Sequence, residues 1–194
     1  MKFNKFVIFA LLFIISTTFV GTVFAADSYK DFDSNGVTFK YPEDWVIAHS
    51  ISEGSVAAVA YKNDSSISIV IQQAPSELGN DLQTAYTTNN NNLAKSGGNI
   101  YSNLQETRTN VSGKTAIVHR YIAPSGGMEK EHIATWLKME DGKIYVILYS
   151  APLEFYEQES TTYDNVVSSF ELSSYKSSSN ILSDISNEFI GLFH

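Results

Sequence analysis

The sequence predicts an α+β domain in which an antiparallel β-sheet is flanked by helices. Three observations carry this prediction. Apolar and polar residues alternate along several short segments, as strands require. Two segments, near residues 80–97 and 154–170, change to helical spacing instead. Short turns such as Asp141-Gly142 separate successive strand patterns, which is typical of hairpins and therefore of antiparallel pairing.

The first predicted strand has Val37, Phe39 and Tyr41 on one face. Pro42 ends it, because proline has no N–H to donate to the sheet. Trp45 follows closely, and we expect its large side chain to cap the core. Residues 26–34, which precede the strand, have the polar composition of a linker.

Further strand patterns follow in pairs. Residues 55–61 and 66–72 are joined by turn residues and predict a hairpin. Residues 100–110 form a long, mostly polar segment, which predicts a strand that is twisted or near an edge. Residues 144–149 form the most apolar of the predicted strands, and such a run suits a central strand that is covered on both faces.

The N-terminus has the pattern of an export signal. Lys2 and Lys5 precede an apolar run over residues 6–20, and Val23 and Ala25 place small residues where a signal peptidase cleaves. We therefore predict a signal peptide over residues 1–25. An uncleaved membrane anchor is the alternative, because the stretch approaches the roughly 20 apolar residues that span a bilayer. Either way, the domain over residues 35–172 is expected to be secreted or at the cell surface.

Composition restricts the partners. The formal net charge is −8, and cleavage of the basic signal would make it more negative. Such a surface repels nucleic acid and anionic membrane, so we expect neither as a principal partner. The one membrane contact we allow for is through an uncleaved N-terminal segment. There is no cysteine, which excludes disulfides, zinc–thiolate sites and iron–sulfur clusters.

Two histidines are the candidates for a metal site. His119 and His132 lie on consecutive predicted strands, and paired imidazoles on a sheet can ligate a metal. No carboxylate follows at a spacing that would complete the site, so we favour two histidines without a shared ligand. The string from Asp31 to Gly36 resembles half of a calcium loop, but Pro42 stands where the bidentate acidic ligand belongs. We predict no metal and no other cofactor.

No catalytic residue is predicted. The motifs H-E-x-x-H and G-x-S-x-G are missing from the sequence, as is a phosphate-binding glycine loop. We therefore expect a protein without enzymatic activity. The alternative is a hydrolase, either one that uses acidic residues or a metal-dependent one that uses His119 and His132.

Two sequence boxes resemble PsbP-like domains. The first, V-T-F-K-Y-P-E-D-W, contains Tyr41, Pro42 and Trp45, and the second is Val166-Val167-Ser168-Ser169-Phe170. The resemblance extends over residues 32–172. It implies an α/β/α sandwich around an antiparallel sheet, with Tyr41, Pro42, Trp45, Val166, Val167 and Phe170 in structural roles. The best-known members are extrinsic subunits that dock on photosystem II, and others are exported bacterial or archaeal proteins.

These observations together favour an exported binding or accessory protein, whose partner is a protein or a cell-envelope component. A Ser-rich linker is predicted over residues 173–180, followed by a short amphipathic segment over 181–194. The segment could dock on the domain, bind a partner or lie on a membrane. We favour docking, or folding when a partner binds, because a helix this short is marginal alone and the segment has no Lys or Arg.

Overall fold

The computed structural model describes residues 28–50 and 52–173, and of residues 158–160 it describes the backbone. Elements are numbered in chain order. The strands are β1 (Tyr29–Ser34), β2 (Val37–Pro42), β3 (Trp45–Ile47), β4 (Ser55–Tyr61), β5 (Asp64–Gln73), β6 (Ser102–Val111), β7 (Lys114–Ser125), β8 (Met128–Lys138), β9 (Ile144–Pro152) and β10 (Glu171–Leu172). The α-helices are α1 (Leu82–Gly97) and α2 (Ser160–Ser169). Short 3-10 helices lie at Ser76–Leu78, Gly98–Ile100 and Leu153–Glu159.

The strands form two antiparallel sheets. A seven-stranded sheet has the order β3-β4-β5-β9-β8-β7-β6, and a three-stranded sheet has the order β1-β2-β10. The predicted antiparallel architecture is therefore confirmed. The central position of β9 and the edge position of β6 are confirmed as well. Residues on the predicted turn Asp141-Gly142 connect β8 to β9, with Met139 N–H donating to the carbonyl of Lys143 at 2.9 Å.

The two faces of the seven-stranded sheet are covered differently. Helix α1 packs on one face, against β7 and β8. The three-stranded sheet and α2 together cover the other face and share its apolar core. A sheet flanked by helices alone, as in the sandwich that the resemblance implies, is therefore an incomplete description, because a second sheet takes part of one layer.

The N-terminal part of the small sheet corrects the sequence prediction. Residues 29–34, predicted as linker, form β1 and pair with β2. Asn35 and Gly36 both have positive φ, at 53° and 80°, which makes the two-residue turn that hairpins prefer. Phe32 stacks on Phe39 across the pair, with 4.6 Å between ring centroids. The strand was missed because Phe32 is its one buried side chain.

Helix α1 begins and ends where the sequence predicts. The side chain of Asp81 caps its N-terminus by accepting a hydrogen bond from the Thr84 N–H at 3.0 Å. Gly98, with φ of 54°, follows its last residue. Within the helix Ala85 and Tyr86 are buried, so α1 contacts the sheet closely near its first two turns. The predicted second helix starts with a 3-10 segment and becomes α-helical at residue 160.

The predicted signal peptide and the predicted segments over 174–180 and 181–194 lie outside the described residues. None of the helices within the described ranges combines the length and apolar character that a bilayer span requires.

A candidate binding cleft beneath helix α1

The two predicted histidines lie on the same face of the seven-stranded sheet, beneath α1. His119 and Tyr121 alternate along β7, and Tyr121 lies directly opposite His132 on β8. The three rings form a stack, with centroid distances of 4.6 Å from His119 to Tyr121 and 4.9 Å from Tyr121 to His132. The structure thus brings the histidines close, as predicted, but the phenol ring of Tyr121 lies between them. In the described part of the chain, no group of three or more metal-ligating side chains is assembled.

His132 is fixed by two hydrogen bonds. Its Nδ1 is 2.7 Å from the hydroxyl oxygen of Ser150, and its Nε2 is 3.4 Å from the carbonyl oxygen of Ala123. Because a carbonyl only accepts, Nε2 carries the proton and Nδ1 accepts from Ser150. Burial lowers the pKa of His132 to about 4, although the Ala123 carbonyl opposes this and the charge of Lys130 adds to it. His132 is therefore neutral at neutral pH.

His119 is the least satisfied polar residue of the stack. It is 1 % exposed, and Tyr86 of α1 meets its ring edge-on at 5.4 Å. Burial lowers the pKa of His119, and the nearby carboxylate of Glu106 partly opposes this. Nε2 of His119 is buried and has no hydrogen-bond partner among the described residues. A buried polar atom without a partner is unusual in a native protein and points to a missing contact.

Glu106 also ties α1 to the edge of the sheet. The hydroxyl of Tyr86 donates to its Oε2 at 3.0 Å, and burial together with this hydrogen bond raises the pKa of Tyr86. The ring of Tyr86 also contacts Trp136 edge-on at 5.9 Å. One side chain of α1 therefore holds the helix over the histidine stack.

Beyond Tyr86, the helix and the sheet leave a cleft, called the α1 cleft here, with a volume of about 150 Å³. Its floor is made by rings and small apolar side chains of the sheet, and its roof by α1 and the 3-10 segment before it. The principal walls are His119, Tyr121, Trp136, Leu148, Leu78 and Leu93.

The mouth of the α1 cleft is polar. Gln72 and Gln73 at the end of β5, Asn89 of α1 and Glu53 line it. The amide oxygen of Gln73 accepts from the ammonium group of Lys143 at 3.1 Å, which orients that side chain. Among the described residues that line the cleft, Glu53 is the one with a formal charge. The site therefore has apolar walls, a neutral imidazole inside and a weakly acidic mouth.

The family model described as PsbP matches residues 26–172. This chain belongs to the PsbP family. A search of curated protein sequences finds no match.

Solved structures share the fold of this PsbP-family chain. The solution structure of cyanobacterial PsbP (CyanoP) from Synechocystis sp. matches with a TM-score of 0.54 and 19 % identity, over 78 % of this chain and 96 % of that one. LpqN of Mycobacterium tuberculosis, described as involved in cell envelope biogenesis, matches with a TM-score of 0.51 and 11 % identity, over 76 % and 91 % of the two chains. A protein from Bacteroides thetaiotaomicron matches with a TM-score of 0.52 and 13 % identity, over 74 % of this chain and 48 % of that one.

The sequence boxes of the PsbP family lie away from the cleft. They are buried on the opposite side of the seven-stranded sheet or in the small sheet that covers it, and Trp45 is fully buried. The residues concerned are Tyr41, Pro42, Trp45, Val166, Val167 and Phe170. They build the core rather than the candidate site.

The calcium-like string is divided among separate partners. Asp31 pairs with Lys40 at 3.0 Å, and Asp33 accepts from the hydroxyl of Ser173 at 3.0 Å. The amide of Asn35 donates to the carbonyl of Val56 at 2.9 Å. The three side chains therefore do not converge on one ion, and the string forms β1 and its turn.

Sequence reasoning missed Tyr121, Trp136 and Ser150. A signal for Tyr121 was available. Gly126 and Gly127 both have positive φ and form a two-residue turn, which places Ser125 opposite Met128. Counting back from that turn puts Tyr121 opposite His132, and period-two alternation puts His119 on the same face.

Proposed function

We propose that this PsbP-family chain is an exported, non-enzymatic binding or accessory protein of the cell envelope, and that it binds through the α1 cleft. The single observation that carries the proposal is the composition of the cleft. Mostly apolar walls with a few convergent polar groups are typical of a site that recognises a ligand. The unpartnered Nε2 of His119 supports this, because bound ligand is a natural partner for such an atom.

The cell envelope is favoured as the location by the signal pattern of residues 1–25. LpqN, described as involved in cell envelope biogenesis, provides a precedent for this fold in that setting. The partner is an envelope component or a protein that presents a group to the cleft. Since the chain is strongly acidic, an anionic partner is disfavoured.

Selective capture tests the proposal. Tagged protein without residues 1–25 is incubated with envelope extract, and retained proteins and small molecules are identified by mass spectrometry. Ala134→Leu, which places a larger side chain in the cleft floor, should lose the retained component. Glu129→Gln, an exposed change on the same strand, should keep it. Equal recovery with both variants would show that the cleft is not the binding site.

Export is tested separately. Mass spectrometry of the protein recovered from the producing cell should give an N-terminus at Ala26 in the extracytoplasmic fraction. Recovery of an intact N-terminus from the membrane fraction would instead support the anchor, and recovery from the cytoplasm would contradict export.

One observation favours a hydrolase, the rival class, but as a serine hydrolase rather than the metal-dependent or acid-residue hydrolase considered from the sequence. Ser150 and His132 are hydrogen-bonded as a nucleophile and a base would be. However, both side chains are buried, and a pKa of about 4 makes His132 a weak base at neutral pH. We therefore interpret the pair as structural. Hydrolysis of an ester or peptide substrate that Ser150→Ala abolishes would support the rival, and tight zinc binding lost in His119→Ala plus His132→Ala would support its metal-dependent form.

A further inference from the structure

We infer that the α1 cleft takes a small, uncharged, single-ring planar molecule that carries a hydroxyl group. The inference rests on the proposed function, since it names the chemical class of ligand for that same site. Size, wall chemistry, the unpartnered histidine and charge each restrict the ligand independently.

The volume of the cleft matches one ring. At about 150 Å³ it is as large as an engineered apolar cavity that admits benzene. A fused two-ring system or a sugar chain would extend beyond it. The ligand is therefore one ring, or one ring at the end of a larger molecule that leaves through the mouth.

The walls favour a flat, apolar body. Trp136 and Tyr121 contribute aromatic rings to the floor, and Leu78, Leu93 and Leu148 contribute aliphatic surface. Aromatic pairs prefer offset-stacked or edge-to-face arrangements, which a planar ring can adopt against these two side chains. Trp136 is already held in place by the edge-on contact with Tyr86, so this wall is ordered before a ligand arrives.

The histidine favours a hydroxyl. His119 is part of the cleft wall, and its buried, unpartnered Nε2 is either a donor or an acceptor, depending on the tautomer. A hydroxyl group both donates and accepts, so it can satisfy Nε2 in either tautomer. A carbonyl or an ether oxygen could satisfy only one of them.

The charges disfavour an anion. Glu53 is the charged residue of the described lining, and both nearby imidazoles have pKa values lowered by burial, so they supply no positive charge at neutral pH. A carboxylate placed beside the two imidazoles would lose its hydration without gaining a cationic partner, because Lys143 lies outside the lining and is hydrogen-bonded to Gln73. An uncharged ring avoids this cost.

Titration calorimetry and ligand-detected NMR with phenol, benzene and benzoate test the inference. Phenol should bind, benzene should bind about two- to ten-fold more weakly because it lacks the hydroxyl, and benzoate should not bind. His119→Phe keeps the ring shape but removes Nε2, so it should weaken phenol to the level of benzene. His49→Phe, the same change at an exposed histidine, should leave binding unchanged.

Cleft-filling variants locate the site. Ala134→Leu from the floor and Leu93→Trp from α1 should each abolish phenol binding. Circular dichroism and thermal melting establish whether these two variants fold. If neither of them folds, His119→Phe still tests the site independently.

The ligand class is wrong if phenol fails to bind, if benzoate binds as well as phenol, or if His119→Phe has no effect. If the wild type captures an envelope component through the cleft but does not bind phenol, the ligand class is wrong and the proposed function stands. If phenol binds in the cleft but no component is captured, the ligand class stands and the proposed function is wrong.

Discussion

The two faces of the seven-stranded sheet differ in what they bury. The face covered by the small sheet and α2 buries mainly aliphatic and aromatic side chains, among them Trp45, Ile69, Ile147 and Tyr149. The face beneath α1 buries His119 and His132 and leaves a cleft. Both faces use the same strands, so the difference comes from alternate residues along each strand.

Under the proposed function, the close-packed face serves stability and the face beneath α1 serves recognition. A close-packed apolar face stabilises the fold, whereas buried polar rings and a cavity reduce stability and are retained where they have another use. Substitutions on the two faces should therefore have different consequences, and four measurements test this contrast.

The largest effect is expected for Trp45→Ala on the close-packed face. Trp45 is fully buried, so its removal should lower the free energy of unfolding by about 3–5 kcal/mol. Denaturant titration measures this. Val46→Ala, at a neighbouring side chain that is 42 % exposed, is the control and should change stability by less than about 1 kcal/mol. An unchanged midpoint for Trp45→Ala would show that Trp45 does not cap the core.

The next effect is a pH dependence that originates beneath α1. The pKa of His132 falls from 6.5 to about 4 on folding, so the unfolded chain binds more protons between these values. Stability from this group is therefore complete above pH 6.5 and decreases as the pH falls toward 4, by up to about 3 kcal/mol. Urea titrations of the wild type and His132→Asn across this range should show a smaller decrease in the variant. Equal slopes would mean that His132 titrates normally in the folded protein.

A smaller effect is expected for Tyr163→Phe, at a buried polar contact on the close-packed face. The hydroxyl groups of Tyr163 and Thr135 are hydrogen-bonded to each other. Removing one leaves the other buried without a partner, which should lower stability by about 1–3 kcal/mol. The double variant with Thr135→Val removes both groups and should recover most of the loss. Additive losses in the double variant would show that the two hydroxyls act separately.

The smallest effect has the opposite sign. His119→Phe removes a buried nitrogen that has no partner and keeps a ring of similar shape, so stability should rise by about 1 kcal/mol. Thermal unfolding of the ligand-free protein measures it. A marked loss of stability would indicate that His119 supports the fold, and the contrast between the two faces would then be weaker than the structure suggests.

Much of the fold follows from local signals in the sequence. Hairpin turns with glycine determine where strands pair, and Asp81 and Gly98 delimit α1. The small sheet could not be predicted, because β10 pairs with β2 through contacts between residues far apart in the chain. Alternation along β1 is also weak, since its outer positions are polar.

The site was only partly predictable. His119 and His132 were candidates from their residue type and their place on consecutive predicted strands, and turn geometry could have added Tyr121. The cleft itself depends on how far α1 stands from the sheet, which is determined by the packing of Tyr86 on Trp136 and His119. Sequence periodicity gives the face of a helix but not its distance from a neighbour, so neither the volume of the cleft nor the unpartnered Nε2 of His119 could be foreseen.

The pairing of β10 with β2 also governs when the domain can fold. Leu172 lies opposite Val37, and the hydroxyl of Ser169 accepts from the N–H of Lys40 at 2.9 Å. The small sheet is therefore complete only after residue 172 has emerged. A chain delivered N-terminus first, from a ribosome or through a membrane channel, must leave the larger core open until delivery of the domain is nearly complete. For a protein in transit this delay is useful, because an unfolded chain can still pass through a narrow pore.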